Sequence, residues 1–294
     1  MILFISFLVY IITTLFFASL LFPTPLSDNG NVRYSSLPIM TFVLIFVNSM
    51  AFMIFQGFDL YQGVNALEAG DIGSGTSLIN NYVQTIWMYG YRGALLRESV
   101  GIGAMSTFTS MFMHSDMWHL LGNMIFLWAF GRRVEDACGS WRFLIFYLCA
   151  GMVANIGSEI LNPSQVDLPS VGASGAISGV MGAYLILFPN GLVTCFWGIG
   201  IILRFVIIAI MKVAGVNAVK GAPTWRWTIQ LPGWLLLIYF LVRDLIPSLE
   251  TIQQGQDFGG VNNLAHLTGF LAAIVIFLFV RKDLVTRYFS GRAI

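Results

Sequence analysis

Charge is what this chain has least of. Lys, Arg, Asp and Glu make up 10% of 294 residues, where about 25% is usual for a soluble globular domain, so an ordinary water-facing surface is excluded. No Lys/Arg run is long enough to follow a phosphate backbone and the net charge is only +1, which removes nucleic acid from the partner classes. Cysteine is sparse as well. Cys138, Cys149 and Cys195 are odd in number and lie in or beside apolar stretches, which argues against a disulfide framework. Alternating strand patterns, internal repeats and low-complexity tracts are absent too, and without strand alternation only helices satisfy their own backbone in lipid.

What the chain does have is apolar sequence, 57% of its residues, with uncharged runs at 2–22, 37–55, 117–131, 143–158, 171–203, 227–242 and 258–280. A run of about 20 such residues crosses a hydrocarbon core of roughly 30 Å. The reading is an all-α membrane protein, integral and multi-pass, with a six-helix core over 37–55, 117–131, 141–160, 174–189, 231–247 and 264–280. The run at 2–22 reads as one extra N-terminal transmembrane helix. It lacks the basic start of a signal peptide and is longer than the 7 to 15 apolar residues, or about that, of such a signal.

Basic residues set the orientation. Arg204, Lys212, Lys220 and Arg226 without an acid, and Arg281, Lys282, Arg287 and Arg292 against Asp283 alone, place 190–242 and the C-terminus on the cytoplasmic side. The acid-rich segment 57–116 falls outside, and a bacterial plasma membrane is the expected location. The segment 194–211 is apolar, yet a single crossing there would reverse the helices after it. It is expected to lie in the cytoplasmic interface or to form a re-entrant hairpin. The resulting organisation is an extra helix and linker at 1–36, a core at 37–282 with a long first external loop at 56–116 and a cytoplasmic insertion at 190–230, and a tail at 283–294. The loop is long enough to carry structure of its own. Arg132, Arg133, Glu135 and Asp136 read as a solvated or ion-paired turn on the cytoplasmic surface.

Polar groups inside such helices are costly and call for a reason. His119 and Asn123 share one helix face in MWHLLGNMIF, Ser174 opens a helix in SVGASGAISG, and His266 opens another in NNLAHLTGF. All enter from the external side, so they can lie at one depth. A serine hydroxyl needs a base to take its proton, and an acyl transfer needs donors for the oxyanion. Gly175, Ser178, Gly179, Gly182 and Ala183 on one helix, with Gly269 and Ala273 on the other, give small faces that let backbones approach. Taken singly these features are ordinary: a small-residue packing stripe, a capping histidine, an interhelical amide. Their coincidence at one depth makes them a candidate site.

MFMHSDMWHLLGNMIFLWAFGRRVEDACG, GASGAISGVMGAY and AHLTGFLAA, in that order, resemble the rhomboid intramembrane serine proteases over about 37–282. The resemblance implies Ser174 as nucleophile and His266 as its base, a dyad without a carboxylate, and His119 and Asn123 as the oxyanion pair. It adds supporting positions at His114, Gly172, Gly175 and Gly269. His114, taken alone, reads as structural. Departures are Ala273 for a second glycine, Met105 and Ser106 where a Trp-Arg pair is frequent, and Ser178 where an aromatic can stack on the histidine. The implied substrates are single-span transmembrane proteins in the bilayer, unwound locally near the external face before cleavage. No cofactor or metal is expected, since the polar set lacks acidic ligands. The competing reading is a pseudoprotease that escorts transmembrane clients; a transporter is disfavoured because no duplicated halves are visible.

Overall fold

The computed structural model describes residues 22–28, 37–98, 100–163, 167–213, 228–254 and 262–280, with positions 286 and 290. The expected N-terminal helix, apart from Phe22, lies outside these residues. The described chain is helical with one small sheet: β1 (Thr24–Asp28), α1 (Ile39–Glu68), α2 (Ile72–Tyr89), α3 (Gly93–Glu98), α4 (Val100–Thr109), α5 (Met117–Phe126), α6 (Arg132–Cys138), α7 (Ser140–Leu161), α8 (Ser174–Leu187), β2 (Leu192–Phe196), α9 (Gly198–Val213), β3 (Ile229–Pro232), α10 (Gly233–Gln254) and α11 (Asn263–Val280).

By length and composition α1 and α7 are able to cross a membrane, and α8, α9 and α11 contain shorter apolar helices. α1 runs well past the expected 37–55, through a π-helical turn at Met53–Gly57. It turns at Gly70, whose φ of +84° suits glycine, into α2, capped by Asp71 accepting from the Ser74 N–H. The expected external loop is therefore mostly helix. α10 is longer than expected too, reaching Gln254 and carrying Pro247 inside it.

Small residues decide how the central helices meet. A Cβ on Gly269 would fall 2.1 Å from the Gly175 carbonyl oxygen, one on Gly179 would meet the Ala150 methyl at 2.6 Å, and one on Gly182 the Phe270 carbonyl oxygen at 2.7 Å. α8 is thus held between α7 and α11 at backbone contact, the packing available where lipid removes the hydrophobic drive between helices. Large apolar side chains of α1, among them Ile39, Phe42, Phe46 and Ile54, point outward and exposed.

Two expectations are corrected. The absence of strand patterning predicted no sheet, yet β1, β2 and β3 form an antiparallel sheet with β2 in the middle; Thr24 pairs with Phe196, and Cys195 with Ile229. The chain leaves the sheet after Phe196 and rejoins it at Ile229 beside Cys195, so both connections lie at the same end of the sheet. Of the two readings of Arg132, Arg133, Glu135 and Asp136, the ion-paired one holds for Arg133, and the solvated one fails at Arg133 and Glu135. Arg133 and Glu135 are 2% and 0% exposed. Arg133 Nε lies 3.1 Å from the buried Asp28 carboxylate and its guanidinium packs over the Phe188 ring. Burial at this helix junction is satisfied by pairing, as buried charges require.

Candidate functional site

Three helices begin at the same end of the bundle, and their first turns build the site. α5 is capped by Asp116, whose Oδ1 accepts the N–H groups of Trp118 and His119 at 2.8 and 2.9 Å. α11 is capped by Asn262, whose Oδ1 accepts from Ala265 N at 3.0 Å while its amide donates to Ser170 Oγ at 3.1 Å. α8, which Ser174 opens, has Ala173 at its cap and no side-chain bond there. Its first N–H groups keep the positive end of the helix uncovered by a side chain.

A cavity of about 600 Å³ opens at this end, lined among others by His119, Gly172, Ser174, Gly175, Glu159 and Asn262. The His119 ring is oriented by a 3.1 Å contact between Nδ1 and Ser115 Oγ. It lies against Gly172, where a Cβ would stand 2.8 Å from His119 Nε2 and 3.6 Å from Ser174 Oγ. Gly172 has φ +126°, so both backbone and space require glycine there. The two polar tips therefore flank one point in the cavity. Gly172 N–H is fixed by the Ser110 carbonyl at 2.9 Å.

Asn123, one turn below His119, is buried, as is His266, and among the described residues neither the Asn123 amide nitrogen nor His266 Nε2 has a hydrogen-bond partner. The expected bond from Ser174 to His266 is therefore not formed in this structure, although Gly175 and Gly269 bring the two backbones into contact within a turn of both residues. A carboxylate that the expected dyad did not include stands beside the histidine: Asp244 Oδ2 lies 3.2 Å from His266 Nδ1. Sequence reasoning passed over Asp244. Its signal was an Arg243–Asp244 pair inside an otherwise apolar helix.

His114 is fully buried and edge-on to His119, ring centroids 5.2 Å apart. Burial, and the positive charge of His119 when protonated, push its pKa down to about 3. Its backbone is gripped on both sides by the Gln56 amide, which donates to the His114 carbonyl at 2.5 Å and accepts its N–H at 2.9 Å. Asp116 is held below the usual carboxylate range: burial acts upward, but bonds from the His119 N–H, the Ser115 hydroxyl and the Trp118 N–H outweigh it. In place of a Trp-Arg pair, Met105 is exposed and Ser106 bonds back to the Gly103 carbonyl. The preceding segment is anchored by Tyr91, whose backbone pairs with Ser170 and whose hydroxyl donates to Glu159 at 2.5 Å. Burial, followed by that bond, raises the Tyr91 pKa.

Residues 103–221 match the Rhomboid domain family model, a segment that includes His114, His119, Asn123, Gly172, Ser174 and Gly175. Among curated proteins, Rhomboid protein 1, mitochondrial, of Saccharomyces cerevisiae is 32% identical over 113 residues, covering 37% of this chain and 33% of the yeast protein. Rhomboid protease GluP of Bacillus subtilis is 44% identical over 77 residues, 26% of this chain and 14% of that protein. Rhomboid-like protein 11, chloroplastic, of Arabidopsis thaliana is 28% identical over 181 residues, 59% of this chain and 51% of its own. The matches thus span between a seventh and about half of these relatives. Residues 103–221 thus carry a Rhomboid domain that includes two of the three converging helices, α5 and α8, and the chain is similar to bacterial, mitochondrial and chloroplastic rhomboid proteins, a family embedded in membranes.

Proposed function

We propose that this chain is an intramembrane serine endopeptidase that cleaves single-span transmembrane segments near the external face of the membrane. Ser174 is the nucleophile, His266 its base, and His119 with Asn123 the oxyanion donors. The architecture proposed is a six-helix core preceded by one further transmembrane helix, in a bacterial plasma membrane. The name of the Bacillus subtilis relative GluP, a rhomboid protease, supports the activity.

The observation that carries the reading is the convergence of the α5 and α8 first turns on one cavity, with the α11 histidine buried behind it and its Nε2 free of any hydrogen bond. As Ser174 Oγ attacks the scissile carbonyl carbon, its proton passes to His266 Nε2 and the carbonyl π pair moves onto oxygen. That oxyanion meets the uncovered N–H groups of α8, the His119 ring and the Asn123 amide. Collapse breaks the C–N bond, the amine leaves with the Nε2 proton, and water repeats the sequence on the acyl-enzyme. Catalytic hydrogen bonds are often long before substrate binds, and the open Ser174 to His266 gap fits that behaviour.

The test is hydrolysis of a model single-span protein in detergent by the intact chain and by Ser174→Ala. Cleavage by the first alone is expected. Equal cleavage by both discards the mechanism, and cleavage by neither favours the client-escort reading. Substrates with Gly or Ala near the boundary are expected to be cut faster than leucine-only ones, because a helical peptide bond must unwind before attack.

A further inference from the structure

Helix α10 brings one carboxylate to the site, and nothing in the proposed dyad uses it. Asp244 is 7% exposed. Its two oxygens face in different directions: Oδ1 takes Nε and Nη2 of Arg243 at 3.0 and 2.8 Å, while Oδ2 stands 3.2 Å from His266 Nδ1. The turn that carries Asp244 is tied from below, where Ser248 Oγ donates to the Asp244 carbonyl at 2.6 Å. On the far side of the same imidazole, Nε2 is buried and unpartnered.

We propose that Asp244 is a positioning residue for His266: by accepting the Nδ1 proton it fixes the imidazole orientation and leaves the lone pair on Nε2, the atom that takes the Ser174 proton. The inference rests on the reading of Ser174 and His266 as nucleophile and base. A neutral imidazole carries one N–H, and an ionised carboxylate only accepts, so the contact at Nδ1 selects the tautomer. During attack the proton moves from Ser174 Oγ to Nε2, the Nδ1–H stays where it is, and Asp244 keeps its charge opposite the imidazolium that forms. On amine departure the Nε2 proton leaves and the starting tautomer returns. Arg243, on the same helix and half-exposed, holds Oδ1 and so leaves Oδ2 for the histidine. It also offsets part of the carboxylate's charge, which makes the role more one of orientation than of charge stabilisation.

An amide at 244 presents both N–H and C=O. With its N–H toward Nδ1 it drives the proton to Nε2, where it blocks the base. In a water-excluded Ser-His-Asp site the same exchange costs about 10⁴-fold in kcat; with Arg243 already sharing the charge, about 10-fold to 1000-fold is expected here.

The experiment uses the full chain in detergent, as wild type, Ser174→Ala, Asp244→Asn and Asp244→Glu. Cleavage kinetics on the model single-span protein are read together with the ¹⁵N spectrum of labelled histidine, with His266 assigned by difference from His266→Ala. Expected are a lower kcat with nearly unchanged KM in Asp244→Asn, recovery of at least a tenfold share of the loss in Asp244→Glu, and an Nδ1–H tautomer of His266 that Asp244→Asn removes. Wild-type rates in Asp244→Asn over an inactive Ser174→Ala overturn the positioning role and leave the protease reading standing. A wild type no faster than Ser174→Ala overturns the protease reading and this role with it. If Asp244→Asn does not fold, the wild-type spectrum decides, since a His266 proton on Nε2 overturns the proposal.

Discussion

Glu135 closes the start of helix α1 from ninety-four residues away: its Oε2 accepts both the Thr41 N–H and the Thr41 hydroxyl at 2.7 Å, and its Oε1 takes the Met40 N–H at 2.8 Å. The Ser140 hydroxyl completes the set at 2.6 Å, and the carboxylate is wholly buried. Negative charge at a helix N-terminus, with orphan donors satisfied, is favourable on both counts. Glu135→Ala leaves these donors without acceptors, each costing about 1–3 kcal/mol when buried. A fall in stability of about 2–4 kcal/mol is expected from thermal unfolding in detergent, with Glu135→Gln milder because it keeps one acceptor oxygen.

Glycines at two positions are expected to behave oppositely. A methyl at 269 meets the Gly175 carbonyl at 2.1 Å, whereas one at 101 meets nothing within 4 Å. Gly269→Ala therefore pushes α11 off α8 and lowers both thermal stability and cleavage. Gly101→Ala sits in open space in α4 and is neutral or raises stability by about 0.5–1 kcal/mol through lost unfolded-state entropy. Equal midpoints for the two variants would contradict the backbone contact.

At the cavity, Gly172→Ala is expected to abolish turnover while the protein still folds, because φ +126° and the 2.7 Å approach to the His119 ring leave no room for a methyl. His119→Ala and Asn123→Ala are each expected to lower kcat by about 100-fold to 1000-fold, the usual loss of one oxyanion donor. Steady-state rates on the model substrate measure all three. Full rate in His119→Ala would remove that residue from the mechanism.

Acid is expected to destabilise the fold through His114. Its pKa is about 3 in the folded chain against an ordinary 6.5, so the unfolded chain binds the extra proton. Stability from this group is complete above about pH 6.5 and is lost progressively as pH falls toward 3. His114→Phe, which removes the titrating group from a pocket with no polar partner for either ring nitrogen, flattens this part of the pH dependence. Unfolding midpoints measured across that range in both proteins supply the check.

The helical plan was legible because its signals are local. Uncharged runs marked the bundle helices, and small residues at 175, 179, 182, 269 and 273 marked where α8 and α11 touch. Misread features depend on partners distant in sequence. TPLSD is too short and polar to read as a strand, and it becomes one only by pairing with LVTCF nearly 170 residues later. Glu135 sits among charges at the end of an apolar run, the usual look of a solvated turn, and only the fold delivers the α1 N-terminus to it. Asp244 directly follows Arg243 inside the expected helix 231–247, and an adjacent acid-base pair near the end of an apolar run carries no sign of a partner on another helix. That Oδ2 reaches a histidine twenty-two residues on depends on how α10 leans against α11.

The small sheet makes Thr24–Asp28, ahead of the first core helix, part of the molecule's frame. β2 has neighbours on both edges, and Asp28 at the end of β1 meets both Arg133 and the Tyr184 hydroxyl, 2.9 Å away. Shortening the chain to begin at 37 would bare one side of β2 and take a carboxylate from a guanidinium that has no route to water. Thr24–Asp28 therefore serve as a clasp, tying the base of α8 to the segment that bridges into α9.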